Sequence, residues 1–404
     1  MKYKPFLNEK LNEISYILQK QYKDASDVGV LTGISGIALF HFYYSKYLDL
    51  DTYADIGAEM ISYCIEKINY GYSFPTFCTG IAGLGWAIQH LKTKDFIDVD
   101  CDSLLSPFDA YLYNQMIFDL GRGNYDFLHG ALGYGFYFLS RYEHTETVDF
   151  KKRYQSYLYE LIAKLETLSI SEGSTLKWKS TLDIKKGTKG FNISLSHGMS
   201  SILNFLSRLY KFDEFKKDTG KLIRGNINYI LDLENNSPKN LSLFPSWVEE
   251  GVPPEYNSRI AWCYGDLGIG LSLLKAGRSL DNISIQKHAL EVLKHTTNRK
   301  ADDQTLVNDA GICHGSYGNA LIYQRLSQEN NNELFKKMFN YWIEDGIEKA
   351  VHKNGYAGYK QWHSLDKVWT PELSLLEGIS GIGLVIIDSL SKEPNSWDEC
   401  LMIS

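Results

Sequence analysis

Two cysteines and a histidine stand where a metal can use them. Ala261-Trp262-Cys263-Tyr264-Gly265-Asp266-Leu267-Gly268 and Gly311-Ile312-Cys313-His314-Gly315-Ser316-Tyr317-Gly318 each place a cysteine two residues before a glycine. The second segment adds a histidine directly before that glycine. Thiolates and imidazole are the donors that zinc prefers. If the two segments are equivalent parts of a repeat, they meet in space. Cys263, Cys313 and His314 then make a three-ligand zinc site with one corner open to a substrate.

The repeat is visible in the glycines. A Gly-x-x-Gly turn begins at Gly33, Gly80, Gly130, Gly265, Gly315 and Gly378, and a seventh copy at Gly198 has Ser201 in place of its second glycine. The copies lie between 47 residues (Gly33 to Gly80) and 68 residues (Gly130 to Gly198) apart. The residues just before the first glycines are Thr32, Thr79, His129, His197, Tyr264, His314 and Glu377, none of them aliphatic. A buried polar group without a partner costs roughly 1–3 kcal/mol. Seven such residues are therefore expected to face a common opening where water and substrate satisfy them. Asp126, four before Gly130, and Arg259, six before Gly265, add charge. The candidate site is Asp126, His129, His197, Arg259, Cys263, Tyr264, Cys313 and His314. Plainer roles stand beside these: thiols packed as small hydrophobes, a hydrogen-bonded core histidine, an Asp126–Arg259 ion pair, and Tyr264 as packing. Cys78 occupies the same repeat position as Cys263 but falls too far round the repeat to be a fourth ligand. Cys64, Cys101 and Cys400 read as structural.

Helices must position these turns. After each motif comes an apolar segment: Ile37–Leu48, Leu84–Leu91, Tyr134–Tyr142, Ile202–Tyr210, Ile269–Leu274, Ala320–Leu326 and Ile382–Leu390. Before most motifs lies an amphipathic one, clearest at Lys151–Leu168 and Ile283–His295, with apolar residues near i, i+3, i+4 and i+7. Each repeat thus reads helix, glycine turn, helix, and seven pairs give an all-α chain. Closure into a ring, an α/α toroid, is favoured over an open solenoid because the chemistry is confined to one end of each pair. The repeat spans residues 1–404 and argues for a single domain.

Two stretches break the rhythm. Residues 169–195 carry the alternating run from Leu176 to Ile184, with Leu176, Trp178, Leu182 and Ile184 on one face, followed by Lys185, Lys186 and Lys189. This predicts a small strand-containing insertion with a local basic face, available to an acidic or extended substrate segment. Residues 235–258, with Pro238, Pro245, Pro253 and Pro254, form a long connection that ends near Cys263. The formal net charge of −7 speaks against nucleic acid as the main partner. The hydrophobic content of 44% is ample for a large core. No apolar run approaches the ~18 residues of a membrane span. Six dispersed cysteines and the lack of a signal-peptide pattern at Met1–Pro5 point to a cytoplasmic protein.

Trp262-Cys263-Tyr264-Gly265, Cys313-His314-Gly315, Ser196-His197-Gly198 and Glu377-Gly378-Ile379-Ser380-Gly381 together resemble the lanthionine synthetase C-like family, most of all its stand-alone bacterial cyclases. The resemblance covers the whole chain. It implies an α/α toroid of seven helix pairs, with a small β-containing insertion in some members. It implies one Zn²⁺ per chain on Cys263, Cys313 and His314, and active-site positions at Asp126, His197, Arg259 and Tyr264. The implied reaction is Michael addition of cysteine thiols to dehydroalanine or dehydrobutyrine in a dehydrated, leader-bearing precursor peptide, giving lanthionine or methyllanthionine. A dehydratase and an ABC exporter, in a membrane-bound complex with which the cyclase associates peripherally, are the implied partners. The same motifs also fit a protein that binds zinc and a thiol such as glutathione without cyclising anything. A toroid hydrolase needs paired carboxylates, and Asp126 and Glu377 fall in distant repeats. Ser201 departs from the motif, and His129 has no counterpart in the family pattern.

Overall fold

The computed structural model describes residues 3–183 and 185–404. Among them are fifteen α-helices. In chain order these begin with α1 (Lys4–Gln21), α2 (Ile34–Leu48), α3 (Asp51–Asn69), α4 (Ile81–Thr93), α5 (Cys101–Gly121), α6 (Ala131–His144) and α7 (Val148–Leu168). They continue with α8 (Met199–Leu209), α9 (Asp213–Asp232), α10 (Asp266–Ser279), α11 (Ile283–Thr296), the single turn α12 (Asp302–Thr305), α13 (Ser316–Asn330), α14 (Glu333–Glu348) and α15 (Ile379–Leu390).

All seven helices that follow a motif glycine begin at the next residue. Their inner stretches are buried on every side: every residue from Ile34 to Ser45 of α2 and from Met199 to Ser207 of α8 is buried. The helices between them bury one stripe, such as Tyr154, Leu158, Leu161, Ile162 and Leu165 of α7. The two hydrophobic periods therefore mark two environments. The second glycine of a motif lets the helix lie against the chain that enters the turn. A Cβ on Gly318 would overlap the Ile312 carbonyl oxygen, and one on Gly83 the Phe77 carbonyl oxygen.

Two compact units appear. One runs to Leu112 and takes in Glu143–Glu146 and Asn308–Ser404. Here α2 packs on α3, α13 on α14, and α15 on both α1 and α2. The turns are linked head to tail. Ile312 and Cys313 N–H donate to the Leu376 carbonyl at 3.1 and 2.9 Å, Leu376 N–H donates to Leu31 at 2.8 Å, and Leu31 and Thr32 N–H donate to Cys78 at 3.2 Å. The seventh repeat is thus bonded to the first, which an open solenoid would keep apart. A hairpin, β6 (Gln361–His363) with β7 (Val368–Thr370), precedes the seventh turn; no alternating pattern announced it.

The other unit is Tyr113–Tyr142 with Thr147–Val307. It pairs α8 with α9 and α10 with α11, and α8 packs on α10. Leu195 and Ser196 N–H donate to the Cys263 carbonyl at 3.1 and 3.4 Å, repeating the same linkage. The insertion is stranded, but not as one run. β1 (Ile170–Glu172) pairs with β2 (Thr175–Lys177), while β3 (Ser180–Asp183) joins β4 (Thr188–Asn192) in a second sheet. Trp178 breaks the run. Its ring is fully buried and its indole N–H donates to the Leu165 carbonyl at 2.8 Å, which pins the insertion to α7. Ile184 lies outside the described residues. The third strand of the second sheet, β5 (Trp247–Glu249), comes from the long proline-containing connection.

The basic face is also largely neutralised by its own neighbours. Lys177 pairs with Glu172 and Lys179 with Glu250, each at 2.8 Å, and Lys186 lies 3.7 Å from Asp183. Lys189 donates to the Thr181 hydroxyl at 2.6 Å.

Candidate active site

His197 sits in the fourth turn, its backbone N–H held by the Ser194 hydroxyl at 3.1 Å. Its Nδ1 is 2.6 Å from Asp126 Oδ2. The other carboxylate oxygen of Asp126 accepts the Leu128 and His129 N–H groups at 2.7 and 2.8 Å. Asp126 is therefore fixed by its own turn and in turn fixes the imidazole, leaving Nε2 for chemistry. Burial works to lower the His197 pKa, but the charge and hydrogen bond of Asp126 outweigh it and hold it above the ordinary value. Burial likewise works to raise the Asp126 pKa, and the His197 charge and hydrogen bond, with help from His129, hold it below.

His129 is exposed and its ring stacks over His197, with centroids 6.2 Å apart. Tyr264 lies on another side, 6.1 Å from the His197 ring, with its hydroxyl accepting from Asn192 Nδ2 at 3.4 Å. Asp126, His129, His197 and Tyr264 line one cavity of about 560 Å³, whose wall includes Ser180 and Leu182 of the insertion. Arg259 is half-buried, and no ion pair joins it to Asp126. Its turn is unlike the others. Gly33, Gly80, Gly198, Gly315 and Gly378 are extended, whereas Gly265 has φ +96°, a region open to glycine.

The sixth turn carries Cys313 and His314. His314 Nε2 lies 3.2 Å from Asp309 Oδ2, which also accepts the Trp362 N–H at 2.9 Å, while Oδ1 accepts Gly311 N–H at 3.1 Å. Burial works to raise the Asp309 pKa, but the neighbouring His314 imidazole and the bonds from these amides hold it below the ordinary value. An imidazole whose one nitrogen is held by a carboxylate offers the other to a metal. The ligand atoms of Cys263, Cys313 and His314 all lie within 4.8 Å of one another, and among the described residues these three form the group able to hold a metal ion. Two thiols and an oriented imidazole fit zinc. Cys78 is not in this group; it is packed against Thr32, Sγ to Oγ1 3.7 Å. Thr32 and Glu377 line another cavity, of about 320 Å³.

Asp309 and Asn192 were missed by sequence reasoning, although a signal exists. Both stand six before a first glycine, as do Asp27 and Glu372. Asn192, Asp309 and Glu372 each accept the backbone N–H two residues on, at 3.0, 3.1 and 3.0 Å. Such side chains close the loop that enters the turn. Arg259 occupies the same position and cannot accept.

The model of the lanthionine synthetase C-like protein family matches residues 24–402. The nisin biosynthesis protein NisC of Lactococcus lactis subsp. lactis is 23% identical over 393 residues, 91% of this chain and 86% of that protein. The solved structure of nisin cyclase shares the fold, with a TM-score of 0.75 at 19% identity, covering 98% of this chain and 97% of that one. A repeat of helix pairs with this turn chemistry, matched along nearly its whole length, places the chain in the lanthionine synthetase C-like family.

Proposed function

We propose that this protein is a zinc-dependent lanthipeptide cyclase, acting on a dehydrated precursor peptide to form lanthionine or methyllanthionine rings. The observation that carries the reading is the Asp126–His197 pair on a cavity shared with Tyr264, whose chain neighbour Cys263 belongs to the Cys263–Cys313–His314 group. The kinship with NisC and nisin cyclase supports it.

Cys263, Cys313 and His314 would hold the zinc, whose charge, when bound, keeps a substrate cysteine as thiolate at neutral pH, where a free thiol of pKa ~8.5 is mostly protonated. The sulfur pair forms the S–Cβ bond to the dehydro-residue, and the π electrons move to its carbonyl as an enolate. His197, held above its ordinary pKa by Asp126, returns a proton to Cα. The thiol's own proton leaves to solvent, so the product is an isomer of the reactant. Tyr264, which lines the cavity, would donate to the enolate oxygen, and Arg259 is the other candidate donor. Asp309 orients His314 and touches no substrate.

The test is incubation of the zinc-loaded protein with a dehydrated precursor, followed by thiol alkylation and mass spectrometry. Progressive loss of alkylatable thiols is expected. Thiols that stay free at the uncatalysed rate, with zinc bound, would leave a zinc- and thiol-binding protein instead.

A further inference from the structure

We propose that the outer edge of β5 is a docking strand for an extended, lysine-bearing stretch of the peptide substrate. The proposal rests on the reading above that the substrate is a peptide. β5 is the last strand of the β3-β4-β5 sheet, so among the described residues one side of it has no strand partner. Its register with β4 pairs Asn192 with Trp247, Phe191 with Val248 and Gly190 with Glu249. The flanking pairs, Ile193 with Ser246 and Glu250 with Lys189, are hydrogen-bonded ones. Alternation then makes Val248 and Phe191 the bonded pair and turns the N–H and C=O of Trp247 and Glu249 outward. Of these outward groups, the Glu249 carbonyl accepts the Val252 N–H at 3.2 Å, and both residues line a groove.

That groove, about 260 Å³, is lined by Trp247, Val252, Pro253, Pro254, Glu249 and Glu255. Trp247 and Val252 are each 48% exposed. The indole of Trp247, which lines the groove, meets edge-on at 6.0 Å the ring of Tyr264, which lines the cavity that holds His197. An added strand takes its affinity from main-chain hydrogen bonds and its selectivity from alternate side chains. Here the apolar wall takes one face of the peptide, and Glu249 and Glu255 complement cations along the groove.

The probe is a fluorescein-labelled peptide of alternating valine and lysine, read by anisotropy on the zinc-loaded protein, with two analogues N-methylated on successive residues. Methylation on the residues that face β5 should weaken binding tenfold or more, and on the others less than threefold. Glu249→Pro removes an outward N–H without touching the β4 ladder and should weaken binding about tenfold. Glu249→Gln should retain binding but lessen its salt dependence. Equal affinity for both methylated analogues, no binding by the wild type, or a dimer that Glu249→Pro dissociates would each overturn the proposal. Because binding is read apart from ring formation, a protein that binds the probe yet forms no ring would sink the cyclase reading and leave this one standing.

Discussion

The second and sixth turns place a cysteine at the same repeat position and use it differently. Cys78 is 2% exposed, beside Thr32, and is followed by Thr79, whose hydroxyl bonds Thr76 at 2.7 Å. Cys313 is partly exposed and is followed by His314. Six before the glycine the second turn has Phe74 and the sixth has Asp309. The backbone repeat fixes where the thiol sits, while the residues one and six places before the glycine decide what it does. An imidazole with a carboxylate behind it makes the sixth turn a candidate ligand pair. Two threonines and a phenylalanine make the second a piece of packing.

The largest test of that contrast is metal content. Cys313→Ala is expected to lose zinc and with it ring formation, whereas Cys78→Ala keeps one zinc per chain and wild-type activity. Elemental analysis of both purified variants checks it, and a zinc-depleted Cys78→Ala would erase the difference between the turns. Both should stay folded, since the buried helices supply most of the core.

Next comes the fourth turn, whose histidine the Asp126 carboxylate holds outside the ligand group. His197→Asn should retain zinc and lose ~10²–10⁴-fold in cyclisation rate, the usual cost of a lost general acid or base. Loss of zinc in this variant would move His197 into the metal shell. Smaller again is the effect of the carboxylate behind the ligand. Asp309→Asn should weaken zinc affinity ~10–100-fold in a chelator competition while keeping the ligand atoms. An unchanged affinity would mean that His314 alone separates the sixth turn from the second. The smallest effect is expected on the insertion. Reversing Lys179, Lys186 and Lys189 removes two exposed ion pairs, worth roughly 0.2–1 kcal/mol each, and the Lys189–Thr181 hydrogen bond, so stability in urea should fall only slightly and precursor affinity change little. A large, salt-dependent loss of affinity would restore the basic face as a binding surface.

Much of the fold was legible because it is local. A glycine turn and the helix after it are written within some fifteen residues, and seven copies reinforce one another. The grouping of Cys263, Cys313 and His314 was legible for the same reason. The strands were not. β5 pairs with β4 across the whole of α8 and α9, and a three-residue strand leaves no period to detect. The run from Leu176 to Ile184 alternated convincingly, yet Trp178 found a deeper place under α7 than in a strand. Asp309 was passed over because its role is to hold another side chain, and the loop-closing acceptor six before the glycine changes identity from Asp to Asn to Glu. The ion pair with Arg259 that stood as the plainer role for Asp126 does not form, and Asp126 goes to histidine and backbone instead.

The bond from Leu376 to Leu31 has a consequence for motion. In a linear array of repeats the end modules have one neighbour and open first. Here the first and last turns each have neighbours on both sides, and the closing contact joins residues 345 positions apart, Leu31 to Leu376. Such a contact forms late and is entropically costly to make. Once made, it puts the first and seventh turns in the middle of the unit's linked run, with the sixth and second turns outside them. Amides of the first and seventh turns should exchange with solvent at least as slowly as those of the second and sixth, so the sixth turn, with its two candidate ligands, is anchored by the junction of the chain's most distant segments.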